Sequence, residues 1–241
     1  MKKTFSGLLV AALAFAGVVG TSTKADAAFM AAICNDLACT GGDDILVTDN
    51  GAGDTIGALG AINFSTSAFG YSLLVNTSQS KPIIGSATQP QLDLNYTVTS
   101  SSGATAGSSV FLYASDTDFL GAGTHPFTLT LGGTNSDAGT VTGRAWGGSS
   151  NTALQFSGAN LFGTLGPFAT SNYSGAATGT YTSISPYSLT IGVAVAGLAN
   201  GTATGDLNLK VVPEPASMTL FGLGLMGFGV ASRRRKANQA K

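Results

Sequence analysis

The chain has 241 residues, 44% of them hydrophobic and only 10% charged, with 34 glycines and a formal net charge of −1. That near-neutral total hides an acidic central part, because residues 28–211 hold ten Asp, no Glu and three cations, for a net charge of −7. Such a surface repels phosphates, and the composition therefore excludes a nucleic-acid-binding protein, whose affinity depends on clustered Lys and Arg.

The first 27 residues have the pattern of a secretory signal peptide. Met1-Lys2-Lys3 is basic, residues 7–20 form an apolar run, and Ala25-Asp26-Ala27 has the A-x-A form of a cleavage site. We predict cleavage after Ala27 and export of the protein. The remaining body, residues 28–211, is long enough for one domain with a substantial core.

The only two cysteines lie near the start of this body. Thiols oxidise in exported proteins, and a bridge between Cys34 and Cys39 would close a small loop. The alternatives are metal binding, which needs further Cys or His ligands nearby, and redox chemistry, which prefers C-x-x-C spacing. We predict a disulfide between Cys34 and Cys39, with no metal centre and no cofactor.

Carboxylates on glycine-rich turns follow the cysteines, from Asp43 and Asp44 to Asp49 and Asp54. Hard oxygen ligands of this kind suit Ca²⁺, but one imperfect nonapeptide repeat cannot form a stacked calcium array. Turn chemistry also explains Asp, Asn and Gly here. Both interpretations stay open at this point.

Alternation of apolar and polar residues with a period of two predicts β-strands from Phe69 onward. The clearest segments are 92–98, 127–131, 187–195 and 207–211, and further candidates are 69–75, 110–114, 141–146 and 153–162. Glycine-rich turns are predicted at 100–103, 121–123, 132–135 and 147–151. Many short strands joined by such turns predict an all-β fold, an antiparallel β-sandwich or jelly roll.

The body offers few groups for catalysis. Its single histidine, His125, lies in a glycine-rich turn without the G-x-S-x-G motif of a serine hydrolase. A glycosidase needs two carboxylates, and Asp116 and Asp118 would share one face if extended but read equally well as a turn. We predict that the protein is not an enzyme.

Exposed aromatic rings could instead bind sugars, whose rings have apolar faces and polar rims. The candidate ligand-binding residues are Trp146, Tyr113 and Tyr173, with Tyr181 and Tyr187 as further aromatics. Packing in the core or at a sheet edge is the commoner role for such residues.

The C-terminal segment has three parts in order. Val212-Pro213-Glu214-Pro215 is extended, because proline fixes φ and restricts the residue before it. Residues 216–232 carry no charge and as a helix would run about 26 Å, short but sufficient for a hydrocarbon core of roughly 30 Å. Arg233-Arg234-Arg235-Lys236 would then stay on the cytoplasmic side as a stop.

This tail, residues 212–241, resembles the PEP-CTERM sorting signal of Gram-negative bacteria. The resemblance implies recognition by exosortase, a membrane protease-transpeptidase, and an association with exopolysaccharide and biofilm matrix. It implies how the protein is exported and leaves the role of the body open. The alternative is an ordinary single-pass membrane anchor.

Together these patterns predict an exported β-sandwich protein held transiently in the inner membrane by its C-terminal helix. It is then cut near Pro-Glu-Pro and reaches the outer surface or the extracellular matrix. The first functional hypothesis is a structural or interaction protein of the envelope or biofilm. The second is a carbohydrate-binding module that contacts extracellular polysaccharide.

Overall fold

The computed structural model of the protein describes residues 29–101, 108–148 and 150–212. The predicted signal peptide lies outside the described residues, as does the predicted tail from Pro213 onward, including the helix at 216–232 and the basic cluster at 233–236. Within the described ranges, no helix is long and apolar enough to cross a membrane.

Twelve β-strands and one short 3₁₀ helix account for the regular structure of the described ranges. The strands are β1 (Met30–Cys34), β2 (Ile45–Thr48), β3 (Ala61–Ala68), β4 (Tyr71–Gln79), β5 (Gln91–Ser100), β6 (Ser109–Phe119), β7 (Gly123–Asn135), β8 (Thr140–Gly148), β9 (Leu161–Phe168), β10 (Asn172–Ser183), β11 (Tyr187–Ala196) and β12 (Thr202–Val211). The 3₁₀ helix is Gly158–Asn160. Sheet A has the order β2-β1-β6-β11-β8-β9, sheet B has the order β10-β7-β12-β5-β4-β3, and the ladders are antiparallel.

The last eight strands fold back on themselves like one long hairpin. β5 pairs with β12, β6 with β11, β7 with β10, and β8 with β9. Because successive pairs alternate between the sheets, this hairpin wraps around a single core, which is the winding of a jelly roll. The hairpin β1–β2 extends sheet A beside β6, and the hairpin β3–β4 extends sheet B beside β5. The predicted all-β fold with two antiparallel sheets is confirmed.

The alternating segments are strands because one side of each lies in the core. In β5, Leu92, Leu94, Tyr96 and Val98 are fully buried, while the intervening residues are half-buried on the outer face. β11 departs from this rule and is buried on both faces over most of its length. Its outer face lies under Tyr113, whose ring is so close to Gly192 that an added Cβ would meet it at 2.2 Å.

Several predicted turns and strands differ from the structure. Phe69 and Gly70 form the turn of the β3–β4 hairpin, with φ of 55° and 84°, so the strand predicted at 69–75 begins two residues later. Residues 132–135, predicted as a turn, lie inside β7. The segment predicted as a strand at 153–162 is irregular up to the 3₁₀ helix.

Four strands have no counterpart in the prediction, β1, β2, β3 and β10, and β9 shares only Leu161 and Phe162 with the predicted segment 153–162. β10 alternates weakly because it is an edge strand with small and polar residues exposed along most of its length. Its conformation comes from the ladder with β7, which runs from Asn172 to Ser183.

Candidate functional site

The folded domain ends where the predicted sorting tail begins. β12 lies in the interior of sheet B, between β5 and β7. The N–H of Val211 donates to the carbonyl oxygen of Pro90 at 2.9 Å, and the N–H of Val212 donates to that of Pro126 at 2.9 Å. The chain is therefore held in place up to Val212, and Pro213 follows with no linker between domain and tail.

The register of the strands determines which loops surround this exit. β3, β5, β7, β9 and β11 begin at the end of the sandwich where β12 finishes, and β4, β6, β8 and β10 finish there. We call this the tail end. It comprises the loops 49–60, 80–90, 120–122, 150–160 and 184–186, together with Val212.

A buried ion pair lies at the tail end. Asp116 near the end of β6 is completely buried, and its Oδ2 accepts hydrogen bonds from Lys81 Nζ at 2.8 Å and from the Ser80 hydroxyl. Lys81 also donates to the carbonyl oxygen of Thr117 and lies 4.1 Å above the ring of Phe119. These contacts attach the loop 80–90 to β6.

Two of the predicted ligand-binding aromatics lie on the outer face of sheet A, but beneath other residues. Trp146 is 2% exposed and Tyr113 is 1% exposed. Phe156 covers both rings, with centroids 4.4 Å from Tyr113 and 5.6 Å from Trp146. The Tyr113 hydroxyl donates to the carbonyl oxygen of Leu37 at 2.8 Å, and burial raises the pKa of this tyrosine.

The third candidate, Tyr173, faces the main core from β10. Its hydroxyl donates to the carbonyl oxygen of Thr204 at 2.7 Å and accepts a hydrogen bond from the Tyr96 hydroxyl at 2.7 Å. Burial raises the pKa of Tyr96 and of Tyr173. The exposure assumed for Trp146, Tyr113 and Tyr173 is therefore not found, since apolar burial outweighed exposure for all three. Ligand binding by these residues stays a prediction.

The structure joins Cys34 and Cys39 by a disulfide with their Cα atoms 5.3 Å apart. Asp36 inside the loop also holds it, because its Oδ1 accepts the N–H of Ala38 at 2.8 Å. Cys34 itself is completely buried at the end of β1.

Replacing both cysteines by Ala is expected to lower the free energy of unfolding by about 2 kcal/mol at most, because so short a loop restricts the unfolded chain little. The hydrogen bonds of Asp36 and Tyr113 remain to hold the loop. Urea unfolding of the two forms measures the difference. Free thiols in exported, non-reduced protein would contradict the disulfide itself.

Two of the carboxylates in the segment 43–54, Asp49 and Asp54, make turn contacts. Asp49 Oδ2 accepts the N–H of Gly60 at 2.7 Å, and Asp54 accepts the N–H groups of Asn50, Ile56 and Asn63 at 3.0–3.1 Å. In the described ranges, the donor atoms grouped closely enough for one metal ion are those of Cys34, Cys39 and Asp44. Both sulfurs of that group are in the disulfide, so they cannot bind as thiolates.

The groups considered for catalysis do not converge. His125 Nε2 contacts the carbonyl oxygen of Gly121 at 3.1 Å, and its ring packs 5.3 Å from that of Tyr181. Asp116 pairs with Lys81, whereas Asp118, at φ 60°, accepts a hydrogen bond from the Asn151 side chain at 2.7 Å. The two carboxylates thus have separate partners, and both lie in β6, not in a turn.

A polar ladder covers the outer face of sheet B. Asp93 on β5 accepts a hydrogen bond from Asn208 on β12 at 3.0 Å. Burial is the largest cause that raises the pKa of the Asp93 carboxyl, the hydrogen bond from Asn208 lowers it, and Asp206 nearby raises it; the net result is a pKa of about 6.

Because the pKa of Asp93 is raised in the folded state, we expect the free energy of unfolding to depend on pH. Folded Asp93 keeps its proton up to about pH 6, whereas the unfolded chain loses it near the ordinary value of 3.8. In that window the folded state binds more protons, so stability falls as pH rises from about 4 to about 6 and then levels off. Asp93→Asn should remove this slope and stabilise the protein at pH 7 by about 1 kcal/mol, allowing for solvent screening at a half-buried site. Urea unfolding at pH 4 and pH 7 measures it. Asp43→Asn, at an exposed residue, serves as the control; an identical slope in the Asp93 variant would contradict the assignment.

Sequence reasoning missed Lys81 and the apolar residues of the tail end, such as Leu120 and Ile184. Lys81 could have been noticed, because it is one of only three cations in residues 28–211. Isolated apolar residues in loops give no such signal, since many surface residues are apolar.

A family model for the PEP-CTERM protein-sorting motif matches residues 211–236. The match confirms the resemblance drawn from Val212 to Lys236, and it places the motif's first two residues, Val211 and Val212, within the folded domain. It covers the tail and does not extend over the sandwich. No curated protein is similar in sequence to this chain.

Three solved structures are remotely similar to the sandwich. The enzymatically active domain of bacteriophage CBA120 tailspike protein 4 has 10% identity and a TM-score of 0.31, over 60% of this chain and 20% of that chain. TmCBM61 in complex with β-1,4-galactotriose has 11% identity and a TM-score of 0.30, over 64% of this chain and 88% of that chain. The adhesin domain of Epf from Streptococcus pyogenes has the same identity and TM-score, over 64% of this chain and 57% of that chain. Likenesses of this size carry no argument about function.

Proposed function

We propose that this PEP-CTERM protein is an exported structural or interaction protein of the cell surface or extracellular matrix. An exosortase-type membrane protease would release it from the inner membrane by cutting in the C-terminal tail. The observation that carries the proposal is the sorting motif at residues 211–236. The body it follows is a sandwich whose last strand, β12, ends at Val211.

The contacts of the titratable groups support a non-catalytic body. Asp116 is neutralised by Lys81, Asp118 is held by Asn151, and His125 packs against aromatic rings. Each of these side chains has a structural partner, whereas catalysis needs such groups to converge on one reacting atom. A protein that binds a partner through its surface does not need converging titratable side chains.

The sequence of the tail supports processing over permanent anchoring. A protease binds its substrate as an extended strand, and Pro213 and Pro215 keep this stretch from becoming helical. Glu214 between them offers one charge at a fixed position. Arg233 to Lys236 resist translocation and would hold the motif at the outer face until the chain is cut.

Glu214→Ala is therefore expected to leave membrane insertion intact but to retain the full-length form in the membrane. Intact-mass measurement of the protein from its native host distinguishes the two forms. Lys210→Ala, which changes a charge just before the motif, is the matched control and should be processed normally.

A second variant tests the basic cluster. Changing Arg233, Arg234, Arg235 and Lys236 together to Gln should weaken retention or orientation before cutting. If mature protein with the natural sequence still carries residues 216–241, the tail is an ordinary membrane anchor and the proposal is wrong.

A further inference from the structure

Large hydrophobic side chains that are exposed in the described ranges gather at the tail end. Five of eight lie there: Leu59 (61% exposed), Ile83 (43%), Leu120 (46%), Ile184 (62%) and Val212 (43%). The other three are Leu37, in the disulfide loop at the opposite end, Leu46, on edge strand β2, and Leu161, on edge strand β9. Apolar residues exposed singly need no explanation, whereas a larger exposed apolar patch marks an interaction surface.

Hydrogen bonds join the loops that carry these residues into one surface. The N–H of Ser80 donates to the carbonyl oxygen of Gly60 at 2.9 Å, which links Leu59 to the loop of Ile83. The N–H of Leu120 donates to the carbonyl oxygen of Ala87 at 2.7 Å. The N–H of Gly121 donates to the hydroxyl of Ser185, next to Ile184, at 3.3 Å.

The acidic groups of the tail end are engaged within it, although the body as a whole is acidic. Asp49 and Asp54 accept backbone N–H groups of their own loops. Asp116 is paired with Lys81, and Asp118 accepts a hydrogen bond from Asn151. The exposed apolar side chains therefore lie among carboxylates that already have hydrogen-bond partners.

The length of chain beyond Val212 determines what this surface can reach. Three residues separate Val212, which is anchored to Pro126, from the start of the apolar segment at Ala216. Fully extended, that stretch spans at most about 14 Å. A headgroup layer is roughly 6 Å deep on each side of the hydrocarbon core. With residues 216–232 in a bilayer, the loops around Val212 must lie at or just above the lipid headgroups.

We propose that the tail end docks onto the outer surface of the membrane while the tail spans it, with Leu59, Leu120 and Ile184 reaching the boundary between headgroups and acyl chains. This inference rests on the proposed function, because it requires the tail to be in the bilayer. Docking would fix the orientation of the domain and hold Pro213 to Pro215 at a constant height for a membrane protease. A few apolar side chains bind a bilayer only weakly and reversibly, so cutting the tail would release the domain.

Trp fluorescence in vesicles tests the docking with the full chain. Ile184→Trp places a reporter at the tail end and Leu37→Trp a matched reporter at the opposite end, both at exposed sites. The only natural tryptophan, Trp146, is 2% exposed and gives the same background in both variants. In vesicles of phosphatidylcholine brominated on the acyl chains, emission from the Ile184→Trp variant should fall about twofold relative to unbrominated vesicles, whereas the Leu37→Trp variant should be unchanged.

Flotation of the same samples separates this inference from the proposed function. Protein that does not float with the vesicles would overturn the membrane-spanning tail and the docking with it. Protein that floats with equal quenching at both reporters would overturn the docking alone. If Leu120→Ser with Ile184→Ser then slowed processing without any difference in quenching, the surface would contact the protease and not lipid, which also overturns the proposal.

Discussion

Replacement of Lys81 by Met is expected to lower the free energy of unfolding by about 3–5 kcal/mol, because it leaves a buried charge unpaired. Asp116 is completely buried, and Lys81 is the cation that touches it. The Ser80 hydroxyl remains as a hydrogen-bond donor but cannot neutralise the carboxylate. Met preserves the length and most of the packing of the lysine stem over Phe119. Urea unfolding at pH 7 measures the loss.

Two further variants make this prediction specific. Lys210→Met alters an exposed cation and should change stability by less than about 0.5 kcal/mol. Lys81→Met combined with Asp116→Asn should recover much of the loss, because the amide is uncharged and still accepts the hydrogen bond from Ser80. A double variant as unstable as Lys81→Met alone would show that packing, and not the buried charge, causes the effect.

Gly133→Ala is expected to destabilise the fold by about 3 kcal/mol, at the upper end for overpacking. Gly133 on β7 faces the core, where a Cβ would lie 2.0 Å from the carbonyl oxygen of Thr204 and 2.5 Å from the Tyr173 hydroxyl. Neither atom can move freely, since one is backbone and the other donates to Thr204 and accepts from Tyr96. Gly205 opposite it is constrained in the same way, with a Cβ 2.5 Å from the Tyr96 hydroxyl.

The control is Gly42→Ala, where a Cβ would meet nothing within 4 Å and stability should hardly change. Thermal and urea unfolding of both variants give the comparison. Adding Tyr173→Phe to Gly133→Ala removes one of the two close contacts and should reduce the cost of the alanine. Equal stability of Gly133→Ala and Gly42→Ala would contradict the packing described for these two tyrosines.

Residues 132–135 show why glycine-rich segments can be predicted as turns although they lie in strands. Gly-Gly-Thr-Asn has the composition of a turn, yet it continues β7, because two core tyrosines need the space that a side chain at Gly133 would fill. The opposite error occurred at Phe69, an apolar residue that occupies a turn with positive φ.

One part of the candidate site could be predicted from the sequence and another part could not. The sorting motif could be predicted from sequence because its proline, apolar and basic parts are contiguous and each acts through composition. The aromatic candidates Trp146, Tyr113 and Tyr173 could not be judged from sequence, because exposure depends on what covers a ring. For Tyr113 and Trp146 the cover is Phe156, from a segment predicted to be a strand.

The sequence by itself determined the features that depend on local pattern. Alternation along β5, β7 and β12 specifies strands with one buried face, and the tail carries its sorting motif in contiguous residues. Only the tertiary structure determined which side chains contact one another across the fold. The pairing of Lys81 with Asp116 and the contact of Tyr96 with Tyr173 join residues far apart in the chain. The strand register likewise places Leu59, Leu120 and Ile184 at the same end of the sandwich as Val212. They arise because the jelly-roll winding brings alternate strand ends to one end of the sandwich, and no short-range pattern encodes which loops meet there.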